Sequence, residues 1–124
     1  MNKEKQCIAI AEACGWTKCR LAIKGAGAPE RGKSPYGVPP RRGYEVSLPN
    51  YTQDLNAMHE VEETLTEHEW NQMFEWLIHI RWRDANATER HGIGKQKALS
   101  PSRATAAQRA EAFLRTIGKW EGAK

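Results

Sequence analysis

The chain has 124 residues, of which 40% are hydrophobic and 27% are charged, and its formal net charge is +4. This composition excludes a disordered chain, and no apolar run approaches the roughly 20 residues of a membrane span. We therefore expect one globular domain over residues 1–124, and, because the N-terminal segment does not resemble an export signal, a cytoplasmic location.

The first predicted elements are a helix, a long loop and a short strand. Residues 3–14 are typical of a helix ending at Gly15, because their apolar side chains share one face: Cys7, Ile8, Ala11 and Cys14. Residues 25–43 are rich in glycine and proline without any hydrophobic period, which predicts a loop. A strand is then predicted in YEVSL, where polar residues alternate with Tyr44, Val46 and Leu48.

Two helices are predicted in the middle of the chain. The first covers residues 54–65 and is opened by Thr52 or Asp54, with one apolar face made of Leu55, Met58, Val61 and Leu65. The second begins at Thr66, which forms a capping box with Glu69, and it has a strong apolar stripe: Trp70, Met73, Phe74, Leu77 and Ile78. Beyond His79 the pattern alternates at Ile80 and Trp82, which predicts that a strand takes over.

The C-terminal third contains the clearest helix. Residues 84–97 are polar and favour no particular element, and a short strand is predicted over residues 97–100. The last helix covers residues 105–117, from a capping box of Thr105 and Gln108 to a stop at Gly118. Its inner face is predicted to consist of Ala107, Ala110, Leu114 and Ile117.

The segment GAPERGKS, residues 27–34, matches the phosphate-loop pattern G-x-x-x-x-G-K-[ST]. That loop binds phosphate only where a helix begins at the Gly-Lys-Ser, so that backbone N–H groups converge on the anion. Here Pro35, Pro39 and Pro40 follow, and three prolines in six residues exclude a helix. We therefore reject the phosphate-loop interpretation and the ATPase that it would imply.

No other catalytic or metal-binding motif is present in the sequence. Cys7, Cys14 and Cys19 form no CxxC pair, so we expect reduced, structural cysteines. The segment MHEVEE, residues 58–63, lacks the second histidine of a zinc-binding HExxH motif. We expect no metal, no cofactor and no enzymatic activity.

The charge is divided into three blocks along the sequence. Residues 1–50 carry a net +5, residues 51–80 carry −7 and residues 81–124 carry +6. This alternation does not make a uniform nucleic-acid surface, and an acidic solvated helix face between basic loops is an equally good interpretation.

The start of the last helix is the strongest candidate anion site. Arg103 precedes the helix and Arg109 lies in its second turn, where free N–H groups, the helix dipole and arginine donors suit phosphate. The alternative is that both are solvated arginines. Tyr51 and Trp82 are candidates for stacking on a base, with a role in the core as their alternative.

Three segments together resemble the phage ABA-sandwich domain family: IAEACGW (10–16), PNYTQDLNAMHEVEETL (49–65) and ATAAQRAEAFLRTIG (104–118). In that family a Pro-x-Tyr-Ser/Thr-x-Asp segment opens the first central helix, and a Thr-Ala element opens the last. The matching residues here are Pro49, Tyr51, Thr52, Asp54, Thr105 and Ala106. The chain departs from the family in residues 25–43 and 84–97.

The resemblance implies an α+β fold, a small α-β-α sandwich with a short central sheet between helices. Similar proteins, the Thoeris anti-defence sponges, hold cyclic ADP-ribose-type signals between subunits without cleaving them. By this resemblance Arg109, together with Arg103, would hold phosphate, while Arg115 lies further along the helix and is a weaker candidate.

The function expected on these grounds is that of a phage or prophage protein in the host cytoplasm. It would sequester a small phosphorylated nucleotide, a cyclic ADP-ribose-type molecule or a cyclic dinucleotide, without turnover and as a homodimer or higher homo-oligomer. The alternative is a phage accessory protein that binds a host protein or nucleic acid and has no small-molecule ligand.

Overall fold

A computed structural model of the chain describes residues 1–23, 33–41, 43–85 and 101–121. In these residues four α-helices and a three-stranded antiparallel sheet form a small α+β domain, which confirms the predicted fold class. The elements in chain order are α1 (Lys3–Ala13), β1 (Thr17–Ile23), β2 (Lys33–Val38), β3 (Val46–Ser47), α2 (Leu55–Glu62), α3 (Glu67–Asp84), a 3-10 turn (Pro101–Arg103) and α4 (Ala106–Thr116). No helix among the described residues is long and apolar enough to cross a membrane.

Helix α1 forms where the sequence predicts it. The Asn2 side chain accepts a hydrogen bond of 2.8 Å from the Lys5 amide and caps the N-terminus. At the other end Gly15 has a φ of +96°, a left-handed conformation that glycine adopts without a steric penalty. The chain therefore turns directly into β1.

Strand β2 corrects the prediction of a continuous loop over residues 25–43. Lys33–Val38 pairs antiparallel with β1, and Tyr36 lies opposite Arg20. The Pro35 carbonyl accepts a hydrogen bond of 3.1 Å from the Leu48 amide on its other side. A strand with proline and glycine at its centre has no alternating pattern, so its pairing partners define it and its own sequence does not.

Because Lys33–Val38 is a strand, no helix begins at the Gly-Lys-Ser of GAPERGKS. This agrees with the rejection of a phosphate loop there. The predicted strand in YEVSL is present in a shorter form, Val46–Ser47, paired with Tyr36 and Gly37.

Helix α2 begins after Asp54, one of its two predicted caps, and α3 begins after its predicted cap, but both helices end elsewhere. The Asp54 carboxylate accepts from the amides of Asn56 and Ala57, and α2 ends at Glu62, earlier than predicted. The capping box of Thr66 and Glu69 is present at the start of α3. Helix α3 then continues to Asp84, so the prediction of a strand beyond His79 is wrong.

The reason for the continuation is the core face of α3. Met73, Leu77 and Ile80 are all buried, which keeps the spacing of three or four residues expected of one helix face. The apparent alternation arises because Trp82, with 46% of its surface exposed, belongs to a different face of the same helix.

Helix α4 is the central element of the described core. Its predicted capping box is present, and it packs most extensively against α3 and also contacts α1 and α2. Ala110, Phe113 and Leu114 are buried, whereas Ala107, predicted on the inner face, is exposed. Helix α1 also contacts β1 and β2, so it lies between the sheet and α4.

Two predictions lie mainly outside the described residues. Nearly all of the polar segment 84–97 and the strand predicted over residues 97–100 belong to the range 86–100, which the structure does not describe.

Candidate functional site

Arg109, the main candidate for phosphate binding, is buried in the structure. Its side chain is 9% exposed, and Nη1 donates to Glu62 Oε1 at 2.5 Å, where the Glu62 side chain is 8% exposed. Its Nη2 donates to the Pro101 carbonyl at 3.4 Å. The phosphate role of Arg109 stays a prediction, and this geometry does not favour it, because the charge is already neutralised by a buried carboxylate.

The surroundings of Arg109 are also acidic. A shallow cavity of about 400 Å³ is lined by Arg109, Glu62, Glu63, His59 and Trp70. An entering phosphate would face two carboxylates for one guanidinium, and like charges at close range repel. The Arg109 Nε atom is buried without a hydrogen-bond partner in the described part of the chain.

The other three predicted site residues lie in different surroundings. Tyr51 is only 4% exposed and belongs to the hydrophobic core, so neither face of its ring is open to a base. Burial raises the pKa of its hydroxyl, as expected for a core tyrosine. Arg103 is exposed at the end of the 3-10 turn, and Trp82 is exposed near the end of α3.

A larger groove lies between α3 and α4. Its volume is about 520 Å³, and it is lined by Gln72, Glu75, Trp76 and His79 of α3 and by Arg115 and Thr116 of α4. Trp76 and His79 are three residues apart and therefore project from the same side of α3. Their rings meet edge to face, with centroids 6.1 Å apart.

Arg115 is held between two tryptophans at this groove. Its guanidinium carbon lies 5.0 Å from the ring centroid of Trp76 and 5.2 Å from that of Trp120, both within the range of cation–π contacts. Trp120 reaches this position because Gly118 has a φ of +76° and the Lys119 amide bonds back to the Leu114 carbonyl at 2.8 Å.

The donors of Arg115 are only partly used. Its Nε donates to Glu111 at 2.8 Å, and a quarter of the side chain is exposed. Within the described residues its two terminal nitrogens have no acceptor. A guanidinium that is fixed in position with terminal donors to spare can bind the oxygens of a phosphate or carboxylate.

A network of charges behind the groove fixes Arg115. Glu111 is 7% exposed and accepts from Arg83 at 2.6 and 2.9 Å as well as from Arg115. Burial alone would raise the pKa of Glu111, but the hydrogen bonds from the two arginines outweigh it and hold that pKa below its usual value. Glu111 therefore stays ionised at neutral pH and restrains the Arg115 side chain.

Arg83 extends this network to Asp84, which it contacts at 2.8 Å. This hydrogen bond lowers the pKa of Asp84 against the opposing effect of burial, and a further bond from Gln108 also lowers it. The network thus connects the C-terminal end of α3 to the middle of α4.

The sequence analysis did not single out Trp76 and His79, which line the groove, or Trp120, which contacts Arg115. One signal was available: Trp76 and His79 are three apart on α3 and lie off its apolar stripe, so they had to line a second face. The approach of Trp120 to Arg115 depends on the turn after Gly118 and could not be read from spacing.

Two further observations concern metal and thiol chemistry in the described residues. No group of three or more His, Cys, Asp and Glu side chains among them could hold a metal ion. The three cysteines are free thiols, and burial raises the pKa of each, which lowers the thiolate fraction at neutral pH.

Comparison of the chain with protein-family models, with curated proteins and with solved structures finds no match.

Proposed function

We propose that this chain is a binding protein that captures a small phosphorylated nucleotide in the groove between α3 and α4 without turnover. The observation that carries the proposal is Arg115, which is held by Glu111 and two tryptophans while its terminal nitrogens lack acceptors in the described residues. Charge, planarity and spare donors are what recognition of a phosphate group requires.

The other groove residues suit the remaining parts of a nucleotide. Trp76 and His79, which line the groove, and Trp120, which contacts Arg115, offer aromatic surface for a base, and base–aromatic stacking contributes about 1–3 kcal/mol. Gln72 and Glu75 offer polar atoms for sugar hydroxyls. This assignment replaces Arg109 and Tyr51, which are buried, by residues that line an accessible groove.

The family resemblance supports the biological part of the proposal. It suggests a phage or prophage protein that works in the host cytoplasm and sequesters a cyclic ADP-ribose-type signal or a cyclic dinucleotide. We expect a homodimer or larger homo-oligomer, because one groove on one 14.0 kDa chain encloses only part of such a ligand.

Calorimetry against cyclic ADP-ribose isomers and cyclic dinucleotides tests the proposal directly. Sequestration requires a dissociation constant near the nanomolar range, about −12 kcal/mol. Arg115→Ala should weaken binding of the captured nucleotide by about 1.5–3 kcal/mol, the scale of a charge-assisted hydrogen bond. Arg115→Lys should recover only part of this loss, because an ammonium lacks the bidentate fork.

Arg20→Ala is the matched control, since Arg20 is an exposed arginine that pairs with Glu45 on the sheet. It should bind like the unaltered protein. Arg103→Ala separates the groove from the start of the last helix and should also leave binding unchanged. If no nucleotide binds more tightly than about 10 μM, roughly −7 kcal/mol, the ligand proposal gives way to the interaction-protein alternative.

A further inference from the structure

Helix α3 carries a stripe of large apolar side chains that the domain does not bury. Four residues spaced four apart form this α3 stripe, with exposed fractions of 37%, 43%, 49% and 46%: Trp70, Phe74, Ile78 and Trp82. Single exposed apolar residues are ordinary, but a contiguous series on one element marks an interaction surface.

Most of the α3 stripe is separate from both the core and the groove. At about 100° per residue, Trp70, Phe74 and Ile78 lie on one side of the buried line through Met73 and Leu77. The groove residues Trp76 and His79 fall on the opposite side of that line. Trp82 lies nearly opposite that line, on the same side of α3 as the groove residue Glu75, so a protein docked on the α3 stripe would border the groove.

We propose that the α3 stripe binds a second copy of this chain, with the two α3 helices antiparallel across a two-fold axis. The charges near the stripe suit this arrangement: at about 100° per residue, Glu67 of the first turn and Arg81 of the last turn lie on the same side of α3 as the stripe. Antiparallel pairing brings the acidic end of one helix to the basic end of the other.

A parallel pair would bring like charges together at both ends, and it would also align the two helix dipoles unfavourably. Arg81 keeps its contact to Gln108 within the chain, and a guanidinium can share its donors among several acceptors.

The apolar residues of the stripe are also self-complementary when the helix is reversed. A two-fold axis near position 76 places Phe74 of one copy beside Ile78 of the other, and Trp70 beside Trp82. The aromatic and aliphatic side chains thus form a central apolar strip between charged ends, which is the usual arrangement of a specific interface. The same patch serves both copies, as a two-fold dimer requires.

Sedimentation velocity at tens of micromolar protein tests this inference. The unaltered chain should sediment with twice the 14.0 kDa mass of one copy. Phe74→Glu, at the centre of the stripe, should raise the dissociation constant of the dimer roughly 30-fold or more, the scale of an aromatic hot spot. Leu55→Glu is the matched control, because Leu55 is 41% exposed but lies on α2, and it should leave the dimer intact.

Circular dichroism and a thermal melt of each variant establish that the fold is retained, which an exposed position predicts. A monomeric unaltered chain, or a dimer that Phe74→Glu leaves unchanged, would overturn the inference, and so would a complex with another protein that outcompetes self-association. These measurements do not depend on ligand binding, so their outcome is independent of the function proposed for the groove.

Glu67→Gln tests the orientation of the two helices. In an antiparallel dimer it removes an attraction to the basic end of the other copy, so the dimer should weaken and lose part of its salt dependence. In a parallel dimer the same change would remove a repulsion and strengthen association, which would refute the antiparallel arrangement.

Discussion

At the scale of single residues, the main finding is that two charged side chains of α4 are buried in ion pairs. Arg109 and Glu111 are both less than 10% exposed, and each forms ion pairs with residues of another element. Buried charges of this kind are costly unless they are paired and hydrogen-bonded. Their pairing explains why arginines of one short helix have different roles: Arg109 connects α4 to α2, and Arg115 faces the groove.

Arg109→Ala should therefore reduce the stability of the fold. It would leave the Glu62 carboxylate buried without its partner, and breaking a buried pair in this way costs about 3–5 kcal/mol. Urea unfolding followed by circular dichroism measures the loss. Replacing both residues, as in Glu62→Leu with Arg109→Met, should cost less than Arg109→Ala alone, because no unpaired charge remains.

The opposite result would restore the phosphate role of Arg109. If Arg109→Ala melts like the unaltered protein but no longer binds the nucleotide that Arg115 variants still bind, the site lies at the start of α4 and the groove assignment is wrong.

At the scale of elements, helix starts were predictable from the sequence and most of the sheet was not. The caps at Thr66 and Thr105 were read correctly from the sequence, and Asp54 is one of the two caps predicted for α2, because each cap depends on residues only two or three positions apart. The pairing of β1 with β2 depends on residues far apart in sequence. Pro35 and Gly37 also interrupt the alternation of polar and apolar residues from which a strand is predicted.

The end of α3 was missed for a related reason. Whether Ile80 belongs to a helix or to a strand depends on the residues against which it packs. In the structure it is buried in the core on the helix face of Met73 and Leu77. The same dependence made the groove unpredictable, since Arg115 and Trp120 meet only after the chain has turned at Gly118.

The cap of α4 should contribute measurably to stability. The Thr105 hydroxyl accepts from the Gln108 amide at 3.1 Å, and the Gln108 side chain accepts from the Thr105 amide at 3.0 Å. Thr105→Ala removes the first bond and should cost about 0.5–2 kcal/mol in urea unfolding, whereas Thr105→Ser should cost little. Equal losses in the two variants would mean that the methyl group, not the hydroxyl, makes the contribution.

At the scale of the whole molecule, the fold brings oppositely charged blocks of the sequence into contact. The pair of Glu62 and Arg109 connects the acidic middle of the chain to its basic C-terminal third. The acidic block is therefore not only a solvated helix face, as one interpretation of the sequence held. The fold class and most helices followed from local patterns, whereas these long-range pairs required the structure.

The charge network around Glu111 and Asp84 should make the fold sensitive to acid. Both carboxyl groups have pKa values below their usual ones in the folded state, so the unfolded chain, with carboxyl pKa values of about 4, binds more protons as the pH falls. The two carboxylates therefore contribute their full stabilisation above the unfolded pKa values of about 4, and this contribution is lost as the pH falls through their lower pKa values in the folded state. Glu111→Gln should reduce the free energy of unfolding near pH 7 by about 1–3 kcal/mol and make the further loss of that free energy in acid less steep.

The measurement for this prediction is the urea midpoint as a function of pH between about 2 and 7, a range that brackets the ordinary carboxyl titrations. Glu60→Gln is the control, because Glu60 is exposed on α2, and its profile should follow that of the unaltered protein. A Glu111→Gln profile as steep as the unaltered one would show that other carboxylates govern acid unfolding. A flattened profile together with weaker nucleotide capture would instead connect the network to the groove, because Glu111 is the residue that holds Arg115 in place.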